Sequence, residues 1–317
     1  DRSLDLADMF TLTFENARAR VSDERGLKAG AKVEIELGYE DGGGQTVPVM
    51  DGEVTAVKAV YPRRGSLSVR FQGYTRHHRL QRGRQTRAFT QKTYSAIAEQ
   101  IAGEVGLQPS VDATQPTQEY VFQHNQTNLE FLDDLAARVG YEVFAEDGKL
   151  YFRKPTGEAA RRSKNLKKGE DLLSFNPRVK AGSVPTEVLV QAWDVRQRTT
   201  IKHTAANADA GPLLETKTQA VALGNKLKEG TKQRVHRVPV RNEAEATEVS
   251  KSVMRDAAQN VVEATAVIKG SPDLKPRPVV EIQEVGQIFS GPYYVRRDVH
   301  NYLKNGFVTT LSVRRSG

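Results

Sequence analysis

The 317-residue chain has no cysteine, one tryptophan and three methionines. Without cysteine there is no disulfide framework, no thiolate zinc site and no cysteine nucleophile, and redox compartment leaves no trace in the sequence. No run of roughly 18 apolar residues occurs, so no helix is expected to cross a bilayer. The first residue is Asp and no apolar signal segment follows it, which reads as a portion of a longer chain.

Catalytic signatures are also missing. None of His77, His78, His124, His203, His236 and His300 stands in the i, i+4 pattern around a Glu that a zinc protease needs. His77 and His78 are adjacent and are expected to point apart, and His300 reads as a satisfied buried or interfacial side chain. Acid–base work requires two carboxylates that face one cleft with separated pKa values. Asp133-Asp134 and Glu243/Glu245 lie on expected helices and are read as solvated surface. There is no Gly-x-Ser-x-Gly elbow and no Walker loop. Gly42-Gly43-Gly44 lacks the Lys and Ser/Thr of a phosphate cradle and reads as a hairpin tip. Asn125-Gln-Thr127 has the form of a glycosylation acceptor, although Thr127 is better used as a helix cap. The expectation is therefore a protein that is not an enzyme, with no catalytic, cofactor-binding or metal-binding residue and no cofactor.

Charge is present but mixed. Lys and Arg number 47 against 39 Asp and Glu, a formal +8, and the acidic residues are interspersed almost everywhere. Two basic runs stand out, Arg76-His77-His78-Arg79 through Arg82, Arg84 and Arg87, and Arg161-Arg162 through Lys168. Both read as solvated loops. The alternatives are nucleic-acid binding, with its steep salt dependence, and contact with an acidic protein partner.

The most informative feature is a repeat. Leu27-Lys28, Val33-Glu34-Ile35, Gly52-Glu-Val-Thr-Ala-Val57 and Gly65-Ser-Leu-Ser-Val-Arg70 recur as Leu274-Lys275, Val280-Glu281-Ile282, Gly291-Pro-Tyr-Tyr-Val295 and Gly306-Phe-Val-Thr-Thr-Leu-Ser-Val-Arg314. Period-two alternation predicts four strands in the first copy: Asp8 to Phe14, Ala31 to Leu37, Gly52 to Val60 and Ser66 to Phe71. Such a sheet can curl into a small barrel.

Between the copies the period changes. Tyr94, Ile97, Ala98, Ile101, Ala102 and Val105 recur at helical spacing, ended by Gly106. Thr127 and Glu130 form a capping box ahead of Leu129, Leu132, Leu135, Ala136 and Val139, ended by Gly140. Strands follow around Asp147-Gly148, a hairpin signal. Arg161 to Asp171 reads as a basic linker, Val188 to Trp193 and Val195 to His203 as a strand pair, and His203 to Gln233 as extended or partly mobile. Asn242 and Glu245 cap a further helix. The fold class expected is mainly β with an α+β insertion: two related tube-like antiparallel β-barrels plus a small α+β domain. The domains expected are 1–89 (first tube-like module), 90–160 (inserted α+β unit) and 161–317 (second module, with a helix near 242–260).

With these residues in hand the chain resembles the phage late control protein D and VgrG family, the baseplate hub proteins of contractile tails and injection systems. The resemblance is carried by Gly52 to Val57, Gly73-Tyr74 with the Arg-rich run to Phe89, Phe122-Gln-His-Asn-Gln-Thr-Asn-Leu-Glu-Phe-Leu132 leading to Gly140-Tyr141, Gly270-Ser-Pro-Asp-Leu274, Ser290-Gly-Pro-Tyr-Tyr-Val295, His300 and Gly306 to Arg315. It implies a structural, trimeric hub that joins the hexameric inner tube to the trimeric spike. The implied partners are two further copies of the chain, the inner tube protein hexamer, a spike or spike-tip protein, other baseplate proteins and cargo in the lumen, with no membrane segment. The implied setting is assembly in the bacterial cytoplasm as part of a phage tail or tail-like particle that can be released outside the cell. The competing readings are a nucleic-acid-binding protein and a tail-tip cell-wall hydrolase.

Overall fold

The computed structural model describes residues 1–3, 7–15, 28–39, 46–63, 65–146, 148–154, 162–180, 185–194, 197–206, 232–235, 240, 242–274, 278–303 and 306–315. The Gly42–Gly44 tip, Leu27, Lys275, Asp147, His236 and the whole segment from 207 to 231 lie outside the described residues. The chain is mainly β, with two curled half-barrel sheets and few helices.

A two-residue strand β1 (Arg2–Ser3) precedes the first sheet, which contains β2 (Met9–Glu15), β3 (Lys32–Gly38), β4 (Thr46–Val60) and β5 (Ser68–Tyr74) in the order β2-β5-β4-β3. Alternation sets its faces. Phe10, Val54, Val69 and Phe71 are buried, with Leu12, Phe14, Val33 and Ile35 packed against them.

A 3-10 turn at Arg76–Gln81 buries His77, His78 and Leu80, and β6 (Gln85–Lys92) follows. Next come α1 (Tyr94–Val105), β7 (Gln108–Val111), β8 (Gln118–Gln126), α2 (Asn128–Val139), β9 (Glu142–Glu146) and β10 (Lys149–Arg153). The Thr127–Glu130 box and the two glycine stops are as expected, and Thr93 adds a cap that the sequence reading did not name. Thr93 accepts from the Ala96 amide, and Gly106 stops α1 in the left-handed region. Thr127 and Glu130 form the reciprocal box, and Gly140 ends α2. Ile97, Ile101, Leu132 and Leu135 from the two helices meet Phe89, Val121, Leu150 and Phe152 from the strands in one core.

The expected basic linker is instead a strand, β11 (Arg162–Lys167), parallel to a strand of the second sheet. Its apolar Leu166 is fully buried, and one such anchor was too little to reveal a strand among cations. The second sheet adds β12 (Leu172–Val179). A three-stranded sheet then forms from β13 (Glu187–Asp194), β14 (Thr199–Ala206) and β15 (Lys232–Val235), with α3 (Glu243–Gln259) packed on it through Ala246, Val249 and Met254. The chain ends with β16 (Val262–Lys269), β17 (Val279–Gln283), β18 (Gly291–Leu303) and β19 (Gly306–Arg315), which complete the order β11-β17-β18-β19-β16-β12, with β1 added to β18.

Within that sheet, β16-β19-β18-β17 repeats the order β2-β5-β4-β3 of the first, antiparallel at every pair. Register makes the equivalence residue by residue. Val33 opposes Gly52, and Val280 opposes Tyr293. Val54 opposes Gly73, and Val295 opposes Val313; immediately after each pair the ladder slips by one residue, at Thr55 and at Arg296. The counterpart of Gly52 is therefore Tyr293, two residues beyond the Gly291 that the motif match suggested. A shift of two preserves which face each side chain occupies, so alternation alone is blind to it.

Core volume is redistributed between the copies. Phe10 opposes Gly73 in the first sheet, where a Cβ on Gly73 would stand 2.3 Å from Phe10 Cζ and 2.2 Å from the Glu53 carbonyl oxygen. Ala264 opposes Val313 at the same place in the second. One sheet fills the site with a ring from β2, the other with a side chain from β19. Gly73→Val alone is expected to cost ~1–3 kcal/mol through overpacking and Phe10→Ala alone ~3–5 kcal/mol. The double variant should lie well below their sum in denaturant unfolding.

Tyr293 is fully buried, donates to the Phe289 carbonyl at 2.9 Å and lies under the Arg315 guanidinium, 4.8 Å from its ring centroid. Burial pushes its phenol from 10.0 up to about 12, partly opposed by the Arg315 charge. The folded state thus holds a proton that the unfolded chain releases. Stability should be full below the unfolded value and fall as pH rises from 10.0 through about 12. Tyr293→Phe should flatten that fall in thermal melts across the alkaline range.

Candidate assembly interface

The two sheets meet at a charged seam. Arg2 on β1 stands directly opposite Asp298 on β18, and both side chains are buried. The Arg2 Nε donates to both Asp298 oxygens at 3.2 and 3.0 Å, and its Nη2 lies 2.9 Å from Asp298 Oδ2. The same guanidinium donates to the Leu274 carbonyl at 2.5 Å and reaches the Val49 carbonyl at 3.4 Å. Val49 is skipped in the β3–β4 register, between Met50 and Pro48, so its carbonyl is turned off the ladder and available to Arg2. One cation therefore joins three stretches of chain that belong to both sheets.

His300 completes the cluster. Its Nε2 is 2.7 Å from Arg2 Nη2 and 2.8 Å from Asp298 Oδ2, and its Nδ1 is 2.9 Å from Thr309 Oγ1. Nη2 can only donate and Asp298 Oδ2 can only accept, so Nε2 sits between a donor and an acceptor while Nδ1 meets the Thr309 hydroxyl. His300 is thus the satisfied interfacial histidine that the sequence suggested. Arg2 and Asp298 carried no sequence signal, because their pairing spans nearly the whole chain. Beside them, the Tyr39 hydroxyl donates to the Gly270 carbonyl at 2.8 Å, and the Tyr39 ring packs on Phe307 at 5.9 Å. Phe307 covers Gly270 so closely that a Cβ there would lie 2.1 Å from the ring.

The arginines of the first basic run are half-buried or exposed, and three of them are paired. Arg79 pairs with Glu53, Arg84 with Glu130 and Arg87 with Glu104; Arg87 also donates to Gln123 and Asn128. These pairs tie the first sheet and the start of β6 to their neighbours, while Arg82 and Arg84 are exposed as the solvated-loop expectation had them. In the second run Lys164 donates to Ser271, and Lys167 pairs with Glu170 and Glu284. Asp133 and Asp134 are exposed as expected. Glu245 is not: it is buried and accepts the Tyr94 hydroxyl at 3.1 Å, which binds α3 to α1. Among the described residues no three His, Asp or Glu are grouped to hold a metal.

Arg2→Met leaves the Asp298 carboxylate buried without its cation and is expected to cost ~3–5 kcal/mol. Arg2→Met combined with Asp298→Leu should recover most of that loss in chemical unfolding, because no unpaired charge remains.

No curated protein matches the chain in sequence. Its fold is similar to that of the 43 kDa tail protein of prophage MuSo2 from Shewanella oneidensis, at 14% identity and TM-score 0.72, covering 99% of this chain and 92% of that one. It is similar to a tail protein from Neisseria meningitidis at 13% identity and TM-score 0.70, covering 99% and 89%. A third likeness, at 12% identity and TM-score 0.56 over 100% and 72%, is to an E. coli component of the type VI secretion system, itself described as structurally similar to bacteriophage tail proteins. The architecture is therefore that of phage tail proteins. The family model described as Alg8 N-terminal domain matches residues 8–304, and the chain belongs to that family.

Proposed function

We propose that the chain is a structural hub of a contractile, phage tail-like machine, in which three copies join a six-fold inner tube to a three-fold spike. The observation that carries this reading is the registered repeat. Two four-stranded units with the same order, and with a ladder slip at the same step, let three chains offer six equivalent places around one ring. The modules are 1–89 and 161–317, with 90–160 as the unit set between them. The protein would be assembled in the bacterial cytoplasm with tube, spike and other baseplate proteins, around a lumen that passes cargo, and released with the particle.

The seam supports a head-to-tail closure, the arrangement a trimer requires. Asp298 opposes Leu311, and its counterpart Val57 opposes Phe71. Asp298 is buried against Arg2 within the chain, whereas Val57 is 43% exposed. An apolar counterpart to the intrachain contact is suited to a contact with the next copy. The strand tips support the docking of a tube ring. Val60 corresponds to Asn301, and the next residues, Tyr61 and Tyr302, are 66% and 73% exposed.

Native mass measurement should give three copies per particle for the wild type. Val57→Lys should give a folded single copy with an unchanged thermal melt. A wild type that stays monomeric, or a Val57→Lys variant that assembles normally, would remove this reading.

A further inference from the structure

Three successive outward side chains of β8 are rings. Tyr120 is 49% exposed, Phe122 is 44% exposed, and His124 is exposed with them. Alternation brings them together: Val121 and Gln123, the residues between, are buried on the other face of the strand. The three rings lie in near-parallel planes. Centroid to centroid, Phe122 is 6.0 Å from Tyr120 at 19° and 5.6 Å from His124 at 27°. Held in water, these rings forgo the burial that Phe89 and Phe131 gain in the core of the same unit.

Register keeps the row open. Phe122 opposes Ala88 and Tyr120 opposes Thr90 on β6, so the partner strand sets only a methyl and a short hydroxyl beside the rings. Ala88 and Thr90 are themselves exposed. Each end of this face is bounded by a non-glycine residue in the left-handed region, Gln91 at φ 52° just after Thr90 and Asn125 at φ 47° just after His124. Such backbone is costly and collects at binding sites. At the second end the Asn125 amide donates to the Thr86 hydroxyl oxygen at 3.2 Å, which leaves that hydroxyl a proton to donate.

Charge then selects the ligand. Neither the ring row nor Thr86, Ala88 and Thr90 beside it includes an Asp, Glu, Lys or Arg. The cations of β6 and its approach are committed elsewhere: Arg84 to Glu130 and the Asn125 carbonyl, Arg87 to Glu104, Gln123 and Asn128, and Lys92 to Gln100. A single-stranded nucleic acid needs cations for its phosphates as well as rings for its bases. A neutral sugar needs none. Its C–H groups meet the electron-rich face of a ring, and its hydroxyls pair with those of Thr86, Thr90 and Tyr120. A row laid along a strand suits a straight glycan. The equatorial bonds of a β-1,4-linked chain keep it straight and leave axial C–H groups on both faces of each pyranose.

We propose that the Tyr120–Phe122–His124 row is a platform for a neutral, β-1,4-linked glycan. The platform is complete in one copy of the chain and does not rest on the hub reading. Calorimetric titration with cellohexaose or chitohexaose should show binding that salt leaves unchanged, since no ion pair forms. Phe122→Ala should weaken it roughly tenfold, the scale of one ring contact, with an unchanged thermal melt, while Phe122→Tyr should retain it. Trp193→Phe, at an exposed ring on another sheet, should leave it unaltered. On the unaltered protein, saturating the aromatic protons should transfer magnetisation to the axial protons of the bound sugar, a readout that does not depend on how any variant folds. Four results would each overturn the proposal: no binding of either hexasaccharide, binding indifferent to Phe122→Ala, equally tight binding of the α-linked maltohexaose, or tighter binding of a six-nucleotide single strand at the same rings.

Discussion

One guanidinium holds the two halves of this molecule in register. Arg2 touches the Asp298 carboxylate, the Leu274 and Val49 carbonyls and the His300 ring, and these contacts come from three stretches of chain. Burying a charge is unfavourable unless every donor finds an acceptor. The contact therefore specifies geometry more than it adds stability. With β1 paired to β18 at this point, the first strand of the chain becomes part of the last sheet, and separating the two half-barrels would take the Val49 carbonyl away from a buried guanidinium. Tyr39 on Gly270 and Phe307 extends the same seam with an apolar contact.

Around that seam, the two sheets are alike where strand pairing demands it and different elsewhere. Both keep the same order and slip by one residue at the same step. Their cores balance volume in opposite ways, with Phe10 and Gly73 in one and Ala264 and Val313 in the other. A ring made of such units would be six-fold in backbone and three-fold in chemistry. Val57 against Asp298, and Thr55-Ala56 against Arg296-Arg297, are the places where the chemistry departs. These positions are where the described residues show the two copies diverging; the Gly42–Gly44 tip lies outside them.

Helices were legible because their signals are local. Thr127 and Asn242 cap within three residues, Gly106 and Gly140 stop within one, and the apolar spacing lies inside a dozen residues. The four strands of the first sheet were legible by alternation, although β4 begins at Thr46 and not at Gly52. Strands β6 and β8 were missed because each buries few apolar residues, Phe89 on one and Val121 on the other, beside a buried Gln123 that has no apolar signature. β11 was hidden the same way, with Leu166 alone among basic residues. Glu245 looked like a surface carboxylate because a cap and a buried acceptor can be the same residue, and only the Tyr94 hydroxyl distinguishes them.

The sequence by itself determined the strand-rich class, the three capped helices and the existence of two related strand groups, since each rests on periods of two or 3.6 residues and on nearest-neighbour caps. It could not set the register of the repeat, because a slip of two residues leaves every face unchanged. Nor could it pair Arg2 with Asp298 or place Val49 off its ladder. Those depend on which strands lie side by side and on where a single extra residue reverses the alternation. Such choices are made by the packing of whole sheets, and only the tertiary structure contains them.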